Sequence, residues 1–161
     1  QLDVFVDHVK TEFDFSPSTK EHPFEVKPNP REIIEYRRKI DAEDVALLTF
    51  IQPKHYKMLE RKSLETSAKQ AIENKSDAII VTGKRTGHVP TFSAIVIAKK
   101  AARNFPVGLG SGFSRKNARD FLPLIDFAIV GTDLKYEGKT DNPVDPERVK
   151  ELVKIVQALR L

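Results

Sequence analysis

Between Phe105 and Arg148, two short apolar runs, Val107–Gly110 and Asp126–Gly131, each end in a glycine turn that opens toward a helix. Gly110-Ser111-Gly112 closes the first run and Gly131-Thr132 the second. Runs of strand length, punctuated by glycine and followed by helical patterns, are the repeating unit of a parallel sheet with helical crossovers. A backbone that must approach a phosphate closely favours residues with little or no side chain. In an eight-stranded α/β barrel the loops after strands 7 and 8 often do this work. The tail therefore reads as the closing quarter of such a barrel, with an anion site at its mouth.

The same alternation runs back through the chain. Leu2–Val9 alternates apolar and polar residues and reads as a strand. From Lys10 to Pro28 three prolines break any period, so a long loop is expected. Asn29 caps a helix with Pro30 in its first turn and Glu32 in the capping-box position, and Ile33, Ile34, Arg37 and Ile40 lie on or near its inner face. Val45–Ile51 and Asp77–Thr82 are further apolar runs of strand length. Between them Ser63 caps a helix carrying Leu64, Ala68, Ala71 and Ile72. Helices are expected from about Thr91 to Asn104 and from Ser114, as cap, to Leu122. A last helix starts at Asp145-Pro146-Glu147, with Val149, Leu152, Val153, Val156 and Leu159 on one face. Five strands alternating with helices mean an α/β fold with right-handed crossovers. A doubly wound open sheet competes, but it would carry its glycine loop after the first strand. Here the glycine turns follow the last two, which favours a barrel of the TIM type.

At 161 residues the expectation is a single domain, 1–161, too short for a complete (β/α)8 barrel and so an incomplete one. The chain has no cysteine, which removes disulfides, Cys–zinc sites and a thiol nucleophile and suits a reducing, cytoplasmic setting. No apolar run approaches a membrane span, so no membrane insertion is expected. Lys and Arg exceed Asp and Glu by only 27 to 23, scattered and without interleaved aromatics, so no nucleic-acid partner is expected.

Ligands of parallel α/β folds sit at the carboxyl ends of strands. Gly110, Ser111, Gly112, Gly131 and Thr132 are the candidate phosphate seat; tight turns that merely need glycine are the plainer explanation. Gly83 and Lys84 join as candidate ligand-binding residues, although Lys84-Arg85 also fits a solvated face. Lys54 and His55 follow a core strand: a lysine there forms a Schiff base or binds an anion, and a histidine moves protons. They and Asp7 are the catalytic candidates, His55 as proton carrier, with an exposed, inert loop pair as the alternative. Asp7 and His8 share no metal-ligand spacing with His55, so no metal and no cofactor are expected.

Taken together, the runs Asp77–Gly87, Val107–Gly112 with Asn117, Ala128–Lys135, Gly138 and Asn142–Val149 resemble the BtpA family. The resemblance is good over about residues 77–150 and looser before, where Tyr36-Arg37-Arg38 and Lys54-His55 still sit as that family would have them. It implies a ribulose-phosphate-binding, phosphoribosylanthranilate-isomerase-like barrel, of a family linked to photosystem I assembly. It also implies that this chain supplies strands 4 to 8, a C-terminal portion whose open edges require a missing N-terminal segment or a second copy of the chain. The family's strand ending Phe-Ala-Asp-Val-His-Val-Lys-His reads here Leu-Thr-Phe-Ile-Gln-Pro-Lys-His, with Phe50 for the acid and Gln52 for the first histidine. Asp3 and Phe5 stand where Arg and Asn are usual. Two expectations follow: an isomerase or lyase that uses proton transfer on a phosphorylated small molecule, or a non-catalytic barrel acting as an assembly or regulatory factor.

Overall fold

The computed structural model describes residues 1–11 and 23–160. Four parallel strands form the main sheet: β3 (Leu48–Phe50), β5 (Ala78–Val81), β6 (Val107–Leu109) and β7 (Phe127–Ala128), in that order. The register puts Phe50 opposite Ile80, Ile80 opposite Gly108 and Gly108 opposite Phe127. Helices α1 (Pro30–Lys39), α2 (Leu64–Glu73), α3 (Phe92–Ala102), α4 (Ala118–Phe121) and α5 (Pro146–Arg160) complete the alternation.

The helices pack on one face of the sheet. Successive strand residues point to opposite sides, and Ile79, Val81 and Val107 bury against Ala68 and Ala71 of α2 and Ala98 and Ala102 of α3. Leu109 continues that face into a second cluster with Ile95, Phe121 and Leu152. Small residues at the contacts let α2 and α3 lie close to the strands. The other face carries Phe50, Ile80 and Phe127. A Cβ at Gly108 would sit 2.2 Å from the Phe127 ring and one at Gly110 2.7 Å from Phe50, so these two glycines make room for the aromatic rings. One-sided helix packing is the geometry of a barrel wall rather than of a doubly wound sheet, as the position of the glycine turns predicts.

Start signals in the sequence are met at most helices. Asn29 accepts from the Glu32 N–H, Ser63 from Thr66, Thr91 from Ala94 and Asp145 from Glu147. Ser114 is not a cap. Its own N–H donates to Asn117 Oδ1, and the helix begins only at Ala118. On α5 only Leu152 is buried, with Ile155 and Val156 packed against the second cluster, while Val153 and Leu159 stay exposed. Ile40, expected near the inner face of α1, is likewise exposed, and Arg37 instead reaches Asp77 at 3.0 Å.

The first strand departs most from expectation. Of Leu2–Val9, only Leu2 joins the parallel sheet, through an isolated bridge to Thr49. The chain then turns away. Val9–Thr11 (β1) pairs antiparallel with Glu25–Val26 (β2) and Tyr56–Met58 (β4) in a separate three-stranded sheet. The loop expected between Lys10 and Pro28 thus holds strand residues at both ends, and residues 12–22 lie outside the described residues. His8 ties this sheet together: Nε2 lies 2.6 Å from Glu25 and Nδ1 3.2 Å from Glu60. Hydrogen bonds to Glu25 and then Glu60 raise its pKa above the ordinary histidine value.

Candidate functional site

Four loops at the carboxyl ends of β3, β5, β6 and β7 surround one cavity of about 670 Å³, within the roughly 300–1,000 Å³ typical of small-molecule sites. Gly110, Ser111, Gly112, Gly131, Thr132 and Lys54 line it together, as do Thr86, His88 and Asp133. Both glycine turns and the lysine therefore converge, as the position of each after a parallel strand requires. Among the described residues, the N–H groups of Ser111, Gly112, Gly131 and Thr132 donate to no protein acceptor.

The glycines differ in what holds them. Gly112 has φ +72, and a Cβ there would sit 2.4 Å from Val89 N. A Cβ at Gly83 would lie 2.2 Å from His88 O. Those positions require glycine for the fold alone. Gly131 is different: its φ is −124 and a Cβ would meet nothing within 4 Å. Packing does not require glycine at 131, yet its lack of a side chain keeps the cavity mouth open. Ser111 joins two loops, its hydroxyl accepting from Gly83 N at 3.1 Å and donating to His88 O at 2.8 Å. Beside Gly110, the Thr82 hydroxyl is buried without a hydrogen-bond partner among the described residues.

Lys54 and His55 meet on one oxygen. Lys54 Nζ is 3.3 Å and His55 Nε2 3.4 Å from Thr86 Oγ1. Neighbours on an extended strand point to opposite sides, so the chain must turn to bring them together. It does so with left-handed φ at Gln52 (+47) and His55 (+67), around Pro53. Strained non-glycine backbone of this kind clusters at working sites. Burial lowers the Lys54 pKa below the usual lysine value, against the through-space charge of Asp3. For Asp133, burial favours the neutral acid, but the backbone N–H and guanidinium of Arg115 outweigh it and hold the carboxyl below the usual range. Arg115 also pairs with Glu151.

Asp7 does not join the cavity. It is 1% exposed, and its carboxylate takes hydrogen bonds from Gln52 N (2.6 Å), Ser67 Oγ (2.7 Å) and Lys62 Nζ (2.9 Å). With every oxygen engaged away from the ligand space, its place is behind the loop, anchoring Gln52 where the turn begins. Gly83, Lys84 and His55 do not line the cavity either; Gly83 packs under His88, Lys84 is exposed and His55 reaches the site only through Thr86. Thr86 is the residue that sequence reasoning missed. A lone threonine in a Gly/Thr-rich loop carries no signal of its own.

The BtpA family profile matches residues 22–158. The chain belongs to the BtpA family. It is 35% identical over 130 residues to an uncharacterised mitochondrial protein of Caenorhabditis elegans, covering 80% of this chain and 46% of that one. It is 32% identical over 129 residues to the photosystem I biogenesis protein BtpA of Synechocystis, covering 80% and 45%. The chain thus spans about half the length of the curated relatives it matches. Among solved structures, N-(5′-phosphoribosyl)anthranilate isomerase of Pyrococcus furiosus superimposes with a TM-score of 0.51 over 80% of this chain and 57% of that one, at 15% identity. That likeness establishes the TIM-barrel fold class. Among the described residues, no helix is long and apolar enough to cross a membrane.

Proposed function

We propose that this BtpA-family barrel binds a phosphorylated small molecule at the mouth of its sheet and acts on it as an isomerase or lyase by proton transfer. The observation that carries the reading is Gly131, a glycine that packing does not require, opening onto the same cavity as the uncommitted amides of Ser111, Gly112 and Thr132. Amides with no protein acceptor are suited to an anion that approaches closely. The isomerase that shares the fold has a phosphoribosyl group in its name, which agrees with this ligand class. His55, beside Thr86, is the proton carrier, since its ordinary pKa lies near neutral pH. The cytoplasm is the compartment we assign to this activity, and we assign the open edge of β7 to a further barrel segment or a second copy.

Gly131→Asp tests the phosphate seat without disturbing packing, because the new side chain enters open space. Calorimetric titration with ribose 5-phosphate should show binding weakened at least about tenfold, or 1.4 kcal/mol. Unchanged affinity overturns the seat. His55→Ala should lower turnover by roughly 10²–10⁴-fold.

A second reading is a non-catalytic assembly or regulatory barrel. It is favoured by Phe50, which places an almost fully buried ring where the family resemblance expects an acid, and by Asp133, the lining carboxylate, being held by Arg115. The Synechocystis relative's name, a photosystem I biogenesis protein, agrees with it. Ligand binding with no turnover of any phosphorylated sugar would select it.

A further inference from the structure

We infer that Lys54 is a carbonyl-capturing amine, so that the ligand is a phosphorylated aldehyde or ketone held at one end by the glycine turns and at the other as an imine. This rests on the phosphate reading above and names its substrate class.

The geometry separates Lys54 from the other engaged lysines. Lys62 is locked on Asp7, Lys99 on Asp126 and Lys135 on the Thr140 carbonyl. Lys54 lines the cavity, and the partner given by its ammonium hydrogen bond is a neutral hydroxyl, Thr86 Oγ1. A lysine that serves as a phosphate clamp must stay charged. Its partial burial works against the charged form, and burial is how lysines become nucleophiles. The amides of the glycine turns meanwhile offer an anion its donors without help from this side chain. His55, on the same hydroxyl, stands next to the amine.

The step balances without an outside reagent. The neutral Nζ lone pair attacks the carbonyl carbon, and the C=O π pair moves to oxygen, which takes a proton from the His55 imidazolium. Nζ then loses a proton to the imidazole. The imidazolium so formed protonates the carbinolamine hydroxyl, which leaves as water as the C=N bond forms, and His55 is left neutral. The iminium next draws electrons from an adjacent C–H bond, whose proton passes to the His55 imidazole, or from a C–C bond, whose far carbon leaves as a carbonyl while its hydroxyl proton passes to that imidazole; either way an enamine results, the step that imine-based isomerisation and C–C cleavage share.

The test is reductive trapping of the full-length protein. Glyceraldehyde 3-phosphate and sodium cyanoborohydride are added, with peptide mapping by mass spectrometry and parallel calorimetry of inorganic phosphate binding. Lys54 should be modified at least about tenfold faster than any other lysine. Inorganic phosphate should suppress that modification, and Lys54→Arg, which keeps the positive charge, should abolish it while phosphate still binds. Phosphate binding with even or absent labelling overturns the amine assignment and leaves the phosphate seat standing. Selective Lys54 capture without phosphate binding overturns the seat alone. Loss of both overturns both.

Discussion

Replacing Lys62 by methionine removes one charge of a buried pair and keeps most of the side chain's length. Asp7 would then be left with the Gln52 N–H and the Ser67 hydroxyl, and the Val6 carbonyl would lose the ammonium that now reaches it at 2.6 Å. Stranding one member of a buried ion pair costs about 3–5 kcal/mol. The two neutral donors that remain place this case near the low end, about 3 kcal/mol. In a chain of this size that lowers Tm by roughly 6–12 °C. The loss should appear in urea unfolding followed by circular dichroism as a lower midpoint with an unchanged slope. A cycle with Asp7→Asn should give a coupling of about 1 kcal/mol or more. Asp7 also anchors Gln52, so Asp7→Asn should slow labelling of Lys54 even under conditions where the variant is fully folded. A Lys62→Met loss below about 1 kcal/mol would refute the reasoning, since it would mean that water already relieves the pair.

Gly112→Val should destabilise the fold by several kcal/mol, as an added Cβ meets the Val89 backbone and a branched residue resists φ +72; Gly131→Ala should leave the melting curve within about 0.5 kcal/mol of wild type, and the reverse ranking would contradict the packing argument. Acid should weaken the protein through Asp126 and Asp133. Burial favours their neutral forms, but Lys99 with the Val107 N–H, and Arg115, outweigh it and lower both pKa values. Their contribution is therefore present above the unfolded carboxyl pKa of about 4 and is lost as pH falls through the depressed folded values. Urea midpoints between pH 6 and 3 should fall less steeply in Asp133→Asn; identical slopes would exclude that residue.

The main sheet was legible because its strands are buried apolar runs closed by glycine or polar residues, a signal that survives even where Asp126–Gly131 shrinks to Phe127–Ala128. Caps such as Asn29 and Ser63 were legible because each acts on its own helix. The small antiparallel sheet was not. Glu25–Val26 and Tyr56–Met58 are too short to show a period, and the alternation of Leu2–Val9 looks the same for a parallel and an antiparallel strand. Of the cavity lining, the two glycine turns and Lys54 were visible from their position after strands, while His55 reaches Thr86 without lining the cavity. Asp7 was misplaced because a carboxylate near a strand end reads alike whether it faces the ligand or the core. Thr86 was invisible because only the left-handed turn at Gln52 and His55 brings the two side chains to it.

The Ser111 hydroxyl has a consequence for the ligand. By joining Gly83 N to His88 O across the β5 and β6 loops, with Gly112 pressed on the Val89 backbone, it fastens the loop that carries Thr86 to the loop that carries the glycine turn. Thr86, on which the Lys54 ammonium rests from the β3 loop, is thereby held at a set place relative to the first glycine turn, and the two ends work as a caliper. Such a caliper gauges ligand length: a molecule one carbon too short can seat its anion or reach the amine, but not both, so selectivity should follow the span between phosphate and carbonyl more closely than the hydroxyl pattern between them.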